Sequence, residues 1–139
     1  MSEKHFQTFY WPTLKRVVDG LIDKGIFPTL FAEGEFETRL DLANEFPRGA
    51  VNWLFERTDM GKAKKAVGDK CCISGNVPAS LIAAGSPRDV KDYSRRIMEE
   101  CREGGGFILA AGTNTVDGAS IANLRAMVEA AAEYGVCRT

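Results

Sequence analysis

The strongest constraint on the fold is a repeating alternation of short apolar runs and helix-like segments. The runs cover residues 27–31, 51–55, 71–77 and 107–111, so successive runs begin 24, 20 and 36 residues apart. These intervals suit a strand followed by a crossover helix that leads to the next parallel strand. Runs that are apolar throughout are typical of strands covered on both faces. The sequence therefore predicts an α/β protein with four βα units and a parallel sheet flanked by helices.

Helical periodicity is found in the segments around these runs. A first helix is predicted between Pro12 and Gly25, residues that suit the start and end of a helix. Others are predicted over residues 35–46, 59–67 and 120–134, and one opens at Ser86 with a capping sequence. The residues expected to face inward are Leu14, Val17, Val18, Leu21 and Ile22 in the first helix, Val90, Tyr93, Ile97 and Cys101 after Ser86, and Ile121, Leu124, Val128 and Ala131 in the last.

Periodicity leaves two architectures open for these four units. They can form a small open α/β sheet, or they can be half of a (β/α)8 barrel, which needs about 250 residues when complete. The chain has 139 residues, enough for one ordinary domain and short for two. We therefore expect a single domain over residues 1–139.

Composition excludes several classes of protein. The net charge is −1 and there is no basic stripe, which argues against a nucleic-acid partner. No apolar run approaches the roughly 20 residues of a membrane span, and residues 1–5 lack the apolar core of a signal peptide. The four cysteines are interpreted as reduced thiols, which together with these features predicts a cytoplasmic protein.

Polar side chains follow each apolar run, where ligands meet the strands of α/β proteins. We therefore predict that they converge at one rim, beside glycines that let a ligand approach the backbone. The candidates are Glu33 after the first run, Glu56 and Asp59 after the second, Asn76 in the third, and Thr113 and Asn114 after the fourth.

Each candidate also has a structural interpretation. Asp59 is placed to cap the helix that follows it. Glu33 has no capping role, but it could pair with Arg39 or Arg57. Asn76, Thr113 and Asn114 could organise turns.

Several chemistries find no support in the sequence. The single histidine, His5, lies near the N-terminus, so neither a Cys-His dyad nor a Ser-His-Asp triad is expected. No phosphate-binding P-loop occurs, and the glycines at 104–106 precede a strand instead of following one. Histidine and cysteine are nowhere spaced as zinc ligands.

A set of short stretches becomes recognisable when it is taken together and in order. The stretches are Met1-Ser2 through Phe9-Tyr10-Trp11-Pro12, Leu30-Phe31-Ala32-Glu33-Gly34, Thr58-Asp59-Met60 with Lys62-Ala63-Lys64, Gly75-Asn76-Val77-Pro78, Gly104-Gly105-Gly106-Phe107-Ile108-Leu109 and Asn123-Leu124-Arg125-Ala126-Met127-Val128. From end to end they resemble the second half of the uroporphyrinogen decarboxylase superfamily. Two of them, at residues 58–60 and 104–109, are closer to its corrinoid-dependent methyltransferases.

This resemblance implies a (β/α)8 barrel, of which the chain would be the C-terminal half, the last four βα units with the preceding helix. Met1-Ser2 is similar to an internal stretch of longer relatives, which implies a truncated or shortened gene product. The family's methyltransferases bind zinc through a His-x-Cys and a later Gly-Cys, and these ligand positions are here Phe31, Glu33 and Thr113. No metal site is therefore expected. The decarboxylases carry Gly-His where this chain has Gly112-Thr113.

The resemblance further implies a corrinoid-dependent methyltransferase-like enzyme without the zinc ligands. Glu33 and Asp59 would be the catalytic residues, with Glu33 as the acid, and the substrate would be bound by Glu56, Asn76, Thr113 and Asn114. We expect no cofactor in this chain, a corrinoid or corrinoid protein as the methyl partner of the longer protein, and little activity of the chain alone. One alternative is a uroporphyrinogen decarboxylase of porphyrin biosynthesis.

A second alternative is a catalytically silent half-barrel that self-associates. A half-barrel would leave two unpaired strand edges and an uncovered apolar face, which favour association. The expected partner is either a second copy or the missing N-terminal half of the barrel.

Overall fold

The computed structural model describes residues 2–113 and 116–135. A short turn α1 (Glu3–His5) and a π-helical turn (Phe6–Tyr10) lead into α2 (Trp11–Ile22). The remaining elements, in chain order, are β1 (Thr29–Ala32), a 3-10 turn (Glu37–Arg39), α3 (Leu40–Ala43), β2 (Asn52–Phe55), α4 (Met60–Val67), β3 (Cys72–Val77), α5 (Ala79–Ala84), α6 (Pro87–Cys101), β4 (Phe107–Ala111) and α7 (Ile121–Tyr134).

The four strands form one parallel sheet in the order β1-β2-β3-β4, as the sequence predicts. Each predicted strand is present within two residues of its expected bounds. β1 and β4 are the edges of this sheet. The βα rhythm is thus confirmed by the structure.

The two faces of the sheet differ sharply. Trp53, Phe55 and Ile73 point to the face that packs against α2 and α4. The opposite face carries the row Phe31, Leu54, Ser74 and Ile108, which the register of the four strands aligns. Phe31 is 40% exposed and Ile108 is 51% exposed, so the helices cover one face and leave the other open at both edges.

An aromatic cluster anchors the N-terminal helix to the sheet. Trp11 of α2 stacks on Trp53 of β2 with ring centroids 6.4 Å apart, and Phe46 contacts Trp11 edge-on at 5.7 Å. The indole nitrogen of Trp11 donates to Glu45 Oε2 at 3.2 Å. Such aromatic pairs stabilise beyond the area that they bury. Of the aromatic residues near the N-terminus, Phe6 and Trp11 are therefore packing residues, whereas Phe9 and Tyr10 are exposed.

Three predictions about the helices are wrong, and one helix, α5, was not predicted. Residues 35–46 form only a 3-10 turn and the four-residue helix α3. In α2, Val17 is 57% exposed instead of buried. In α7, Ile121, Leu124 and Val128 are exposed, and the buried residues are Asn123, Ala126 and Ala130.

The reason for the last error is that α7 packs through its small side chains. Alanine allows close approach to the neighbouring elements, and Asn123 makes hydrogen bonds there that an apolar residue cannot make. A periodic apolar pattern identifies the apolar face of a helix, but it does not show whether another element packs on that face.

Candidate functional site

A polar cleft of about 590 Å³ lies where β2, β3 and β4 end. The first turn of α4 and one side of α6 complete its wall. Because the strands are parallel, their carboxyl ends bring side chains from distant sequence positions together. The lining residues are Glu37, Glu56, Arg57, Thr58, Asp59, Met60, Asn76, Pro78, Ala79, Ser80, Tyr93, Arg96, Ile97, Glu100, Gly112 and Thr113.

Four of the six predicted site residues meet in this cleft: Glu56, Asp59, Asn76 and Thr113. Glu33 does not line it. Asn114 lies outside the described residues.

Asp59 is the N-cap of α4. Its Oδ1 accepts a hydrogen bond from the Lys62 amide at 2.8 Å, and its own amide donates to Glu37 Oε1 at 3.0 Å. The capping interpretation is confirmed. Asp59 Oδ2 makes no hydrogen bond with the residues that the structure describes, so this oxygen is available to a ligand.

Glu56 and Thr58 hold the loop after β1 against the loop after β2. Glu56 Oε2 accepts from the Gly34 amide at 2.6 Å, and Thr58 Oγ1 accepts from the Phe36 amide at 3.1 Å. Arg57 Nε lies 4.0 Å from the same Glu56 oxygen. Glu56 therefore has a structural role as well as a place in the cleft wall.

Asn76 is buried and makes hydrogen bonds at both ends of its amide. Its Nδ2 donates to the Thr58 carbonyl at 2.6 Å, and its Oδ1 accepts from the Tyr93 hydroxyl at 3.3 Å. Burial raises the pKa of Tyr93, so its hydroxyl remains a donor at neutral pH. The pair fixes the orientation of the Asn76 amide.

Gly112 allows the β4 loop to approach β2. A Cβ at this position would lie 2.8 Å from the Glu56 carbonyl oxygen, closer than side chains tolerate. Thr113 follows directly and lines the cleft. The close approach therefore brings the Thr113 position to the same site as Glu56.

The sequence prediction missed the wall contributed by α6. Arg96 stacks on Tyr93 with its guanidinium carbon 4.7 Å from the ring centroid, and Glu100 lies one turn further along. Tyr93 was predicted only as a packing residue. A hydroxyl on the inward face of a helix was the available signal, because buried tyrosines require a polar partner.

Glu33 lies in a second cavity, at the β1 edge. It is exposed, and the cavity of about 590 Å³ is lined mainly by aromatic and aliphatic residues together with Arg39. Arg39 Nε pairs with Glu3 Oε2 at 2.9 Å, while Arg57 lies beside Glu56. Among residues 2–113 and 116–135, neither Arg39 nor Arg57 forms the predicted ion pair with Glu33.

The charge of the first cleft is predominantly negative. Its wall contains four carboxylates, from Glu37, Glu56, Asp59 and Glu100, and two guanidinium groups, from Arg57 and Arg96. Neither thiol nor imidazole lines it. Among the described residues, no group of three or more His, Cys, Asp or Glu side chains is arranged to hold a metal ion.

Comparison with known proteins places this architecture in a family. The family model described as "Uroporphyrinogen decarboxylase (URO-D)" matches residues 1–134. The chain belongs to the uroporphyrinogen decarboxylase family. Its membership confirms the resemblance found in the sequence. No curated protein shows significant sequence similarity to the chain.

A solved structure of this fold is a methyltransferase from Methanosarcina mazei. It matches with a TM-score of 0.82 and 19% sequence identity over 98% of this chain. The chain spans only 39% of that methyltransferase. The uroporphyrinogen decarboxylase-family chain is therefore α/β, with four parallel strands that match part of a barrel-fold methyltransferase. No helix within the described ranges is long and apolar enough to cross a membrane.

Proposed function

We propose that this chain supplies half of the rim of a barrel enzyme that transfers a methyl group between a small donor and a corrinoid. The observation that carries the proposal is the acid-rich cleft at the carboxyl ends of the strands. Carboxylate, amide and hydroxyl groups are suited to hold a polar or cationic methyl donor and to supply hydrogen bonds to its leaving group. The fold of the archaeal methyltransferase adds support at the level of architecture.

Within this scheme, the residues of the cleft bind the methyl donor, and Glu33 at the β1 edge transfers a proton. Asp59 Oδ2, Glu56, Asn76 and Thr113 hold polar parts of the donor, and Asn114 follows Thr113 as a further binding candidate. A bound corrinoid would accept the methyl group, and the electron pair of the broken carbon–heteroatom bond stays on the heteroatom. Glu33, which is exposed, passes a proton taken up from solvent to this leaving group. Glu33 is at the open β1 edge, so this step requires a barrel that is completed on that side.

Neither zinc nor the corrinoid metal finds ligands in the cleft. The oxygen donors and the lack of thiol and imidazole in its wall do not fit a zinc ion that activates a thiol, and no step is assigned to zinc. A corrinoid carries amide groups on its periphery, and carboxylate and amide side chains fit these groups as hydrogen-bond partners. The carboxylate and amide side chains of the cleft would therefore orient a corrinoid through hydrogen bonds to its peripheral amide groups.

Decarboxylation of uroporphyrinogen is the second candidate. The family description favours it, and so do Arg57 and Arg96, which could pair with substrate carboxylates. The four carboxylates of the same wall oppose it, because they would repel a polyanion. The net negative charge of the cleft wall therefore favours methyl transfer over decarboxylation.

Binding to this chain tests the proposal directly. Titration with methylcobalamin, followed by its absorbance spectrum, should give saturable binding. Asp59→Asn should weaken it about fivefold, because Asp59 Oδ2 is proposed to accept from an amide of the corrinoid as well as from the donor, and a hydrogen bond to a charged group contributes roughly 1 kcal/mol more than one to a neutral group. Asn caps helices about as well as Asp, so α4 is preserved. Asp69→Asn is the matched control, since Asp69 is an exposed carboxylate at the other end of α4.

Two outcomes would contradict methyl transfer. One is the absence of saturable cobalamin binding. The other is formation of coproporphyrinogen from uroporphyrinogen, which would establish the decarboxylase instead. In a completed barrel, Glu33→Gln should abolish turnover and leave cobalamin binding unchanged, and unchanged turnover would remove Glu33 from the mechanism.

A further inference from the structure

One side of helix α6 brings charges of both signs to the polar cleft. Tyr93, Arg96 and Glu100 are spaced three and four residues apart, so they lie on the same side of the helix, and all three line the cleft wall. Arg96 and Glu100 have the spacing of a helical ion pair, yet they form none with each other among the described residues. Both charges are therefore available to a ligand in the cleft.

Arg96 is held in place without a carboxylate partner. Its guanidinium carbon lies 4.7 Å from the centroid of the Tyr93 ring, and the Tyr93 hydroxyl donates to Asn76 at the end of β3. The neighbouring Arg95 approaches Asp92 instead, at 3.8 Å. Arg96 forms no ion pair in the part of the chain that the structure describes. Its guanidinium is thus oriented beside the strand ends, where it can bind an anionic group.

Two carboxylates meet further along α6, beside the first turn of α4. A Cβ at Gly61 would lie 3.4 Å from Asp59 Oδ1 and 3.6 Å from Glu100 Oε2, so both side chains approach the same point. Because residue 61 is a glycine, no side chain fills this point. Asp59 Oδ1 caps α4, and its Oδ2 is available to a ligand. A cationic group placed here would be attracted by both acids.

The elements that carry these charges are inner elements of the chain. β2 and β3 are the two inner strands of the sheet. α4 and α6 pack against each other, with the Cys101 thiol 3.6 Å from the Met60 carbonyl. The positions of Arg96, Glu100 and Asp59 therefore do not depend on what covers the sheet edges or the exposed sides of α2 and α7.

The spacing of the charges limits the length of a ligand that contacts both. Four residues of an α-helix rise about 6 Å along its axis, and long side chains lean toward the N-terminus of their helix in the same way. A ligand that lies along α6 from Arg96 to Glu100 thus needs opposite charges about 6 Å apart. An amino acid with three methylene groups between nitrogen and carboxylate reaches this separation when extended, whereas an α-amino acid does not.

We propose that the methyl donor is a zwitterion, an N-methylated ω-amino acid whose carboxylate binds Arg96 and whose ammonium group binds Glu100 and Asp59. This inference rests on the function proposed above, because it names the class of donor for the same cleft. Each end of such a donor meets the opposite charge, and its net charge of zero avoids the repulsion that the acidic wall exerts on an anion. A tertiary ammonium group also keeps one N–H, which a carboxylate accepts.

Calorimetric titration of the chain with 4-(dimethylamino)butanoate tests the anionic end. Binding should be saturable, and 4-(dimethylamino)butanamide should bind about tenfold more weakly, because it lacks the charge-assisted contact with Arg96. Arg96→Met should lower the affinity for the acid about tenfold and leave the affinity for the amide unchanged. Arg95→Met is the matched control, because Arg95 lies on α6 outside the cleft wall, and it should bind both compounds as the wild-type chain does.

A second pair of variants tests the cationic end. Glu100→Gln should weaken binding of the acid and of the amide alike, about fivefold, because both compounds carry the ammonium group. Glu99→Gln is the matched control, since Glu99 is an exposed neighbour that does not line the cleft. Circular dichroism of each variant verifies that the fold is retained.

Several results would overturn the zwitterionic donor. They are the absence of saturable binding of the acid, equal affinity of the wild-type chain for acid and amide, an unchanged affinity of Arg96→Met for the acid, and tighter binding of N,N-dimethylglycine than of 4-(dimethylamino)butanoate. Any of them together with saturable methylcobalamin binding would remove this donor class and leave the methyl-transfer proposal in place. Failure of methylcobalamin to bind would contradict methyl transfer itself.

Discussion

Asp59 shows how one side chain can serve both the scaffold and the site. Its Oδ1 caps α4 through the Lys62 amide, while Oδ2 remains available in the cleft. Glu56 combines a hydrogen bond to the Gly34 amide with a position in the same wall. Because such residues have two roles, a substitution must remove the carboxylate charge in the cleft while it keeps the hydrogen bond that stabilises the fold.

Substitution at Asp59 provides this separation. Asp59→Ala removes the cap and should lower the free energy of unfolding by roughly 0.5–2 kcal/mol, whereas Asp59→Asn should be close to neutral. Urea unfolding followed by circular dichroism measures both values. Equal destabilisation by the two variants would mean that charge, and not the cap, holds the first turn of α4.

The thiol of Cys101 is predicted to be inert in the folded chain. It is fully buried beside the Met60 carbonyl, and burial raises its pKa to about 11. Since the thiolate is the reactive form, iodoacetamide at pH 8 should alkylate Cys101 only after unfolding. Peptide mass mapping with and without urea checks this. Rapid alkylation of the folded chain would contradict the burial.

The same thiol makes stability depend on pH. In the unfolded chain Cys101 loses its proton near pH 9, below its pKa of about 11 in the folded chain, so the unfolded state binds fewer protons between these values. This contribution to stability is complete below about pH 9 and is lost as pH rises toward 11. Between those pH values Cys101→Ala should lose less stability than the wild-type chain, and equal losses in urea unfolding would rule the linkage out.

At the scale of elements, Asn123 joins α7 to the end of α5. Its Nδ2 lies 2.8 Å from the carbonyl oxygens of both Ile82 and Gly85, which the end of a helix leaves without intrahelical partners. The Ile82 oxygen also accepts a hydrogen bond from the Ser120 amide at 3.3 Å. Asn123 is thus the polar member of the buried side of α7, beside Ala126 and Ala130.

Replacing Asn123 should loosen this junction. Asn123→Ala leaves the Gly85 carbonyl without its donor and the Ile82 carbonyl with the Ser120 amide alone, so it should cost roughly 1–3 kcal/mol. Asn123→Asp keeps the shape but places a carboxylate against the carbonyl oxygens, so it should destabilise more at pH 7 and partly recover at pH 4, where a protonated carboxyl can donate. Urea unfolding of each variant, relative to the wild-type chain at the same pH, is the measurement. An aspartate variant as stable as wild type at pH 7 would contradict the role of the amide.

At the scale of the whole molecule, the helices cover one face of the sheet and leave Phe31 and Ile108 on the other face partly exposed, at 40% and 51%.

The sequence by itself determined the elements and their order. Apolar runs and helix periodicity are local, so they located β1 to β4 within two residues, and the Ser86-Pro87-Arg88-Asp89 sequence correctly predicted the capping box of α6. The parallel connection of the strands, in turn, implied that Glu56, Asp59, Asn76 and Thr113 would converge. Short motifs in the right order were enough to indicate the family.

The tertiary structure alone decided which surfaces those elements bury. It placed Glu33 outside the cleft, brought Tyr93 and Arg96 into it, and turned Ile121 and Val128 outward. These outcomes depend on contacts between residues far apart in the chain, such as Asn123 with Gly85 and Tyr93 with Asn76. Periodicity indicates that a helix has an apolar face, but only packing against distant parts of the chain decides which face is buried.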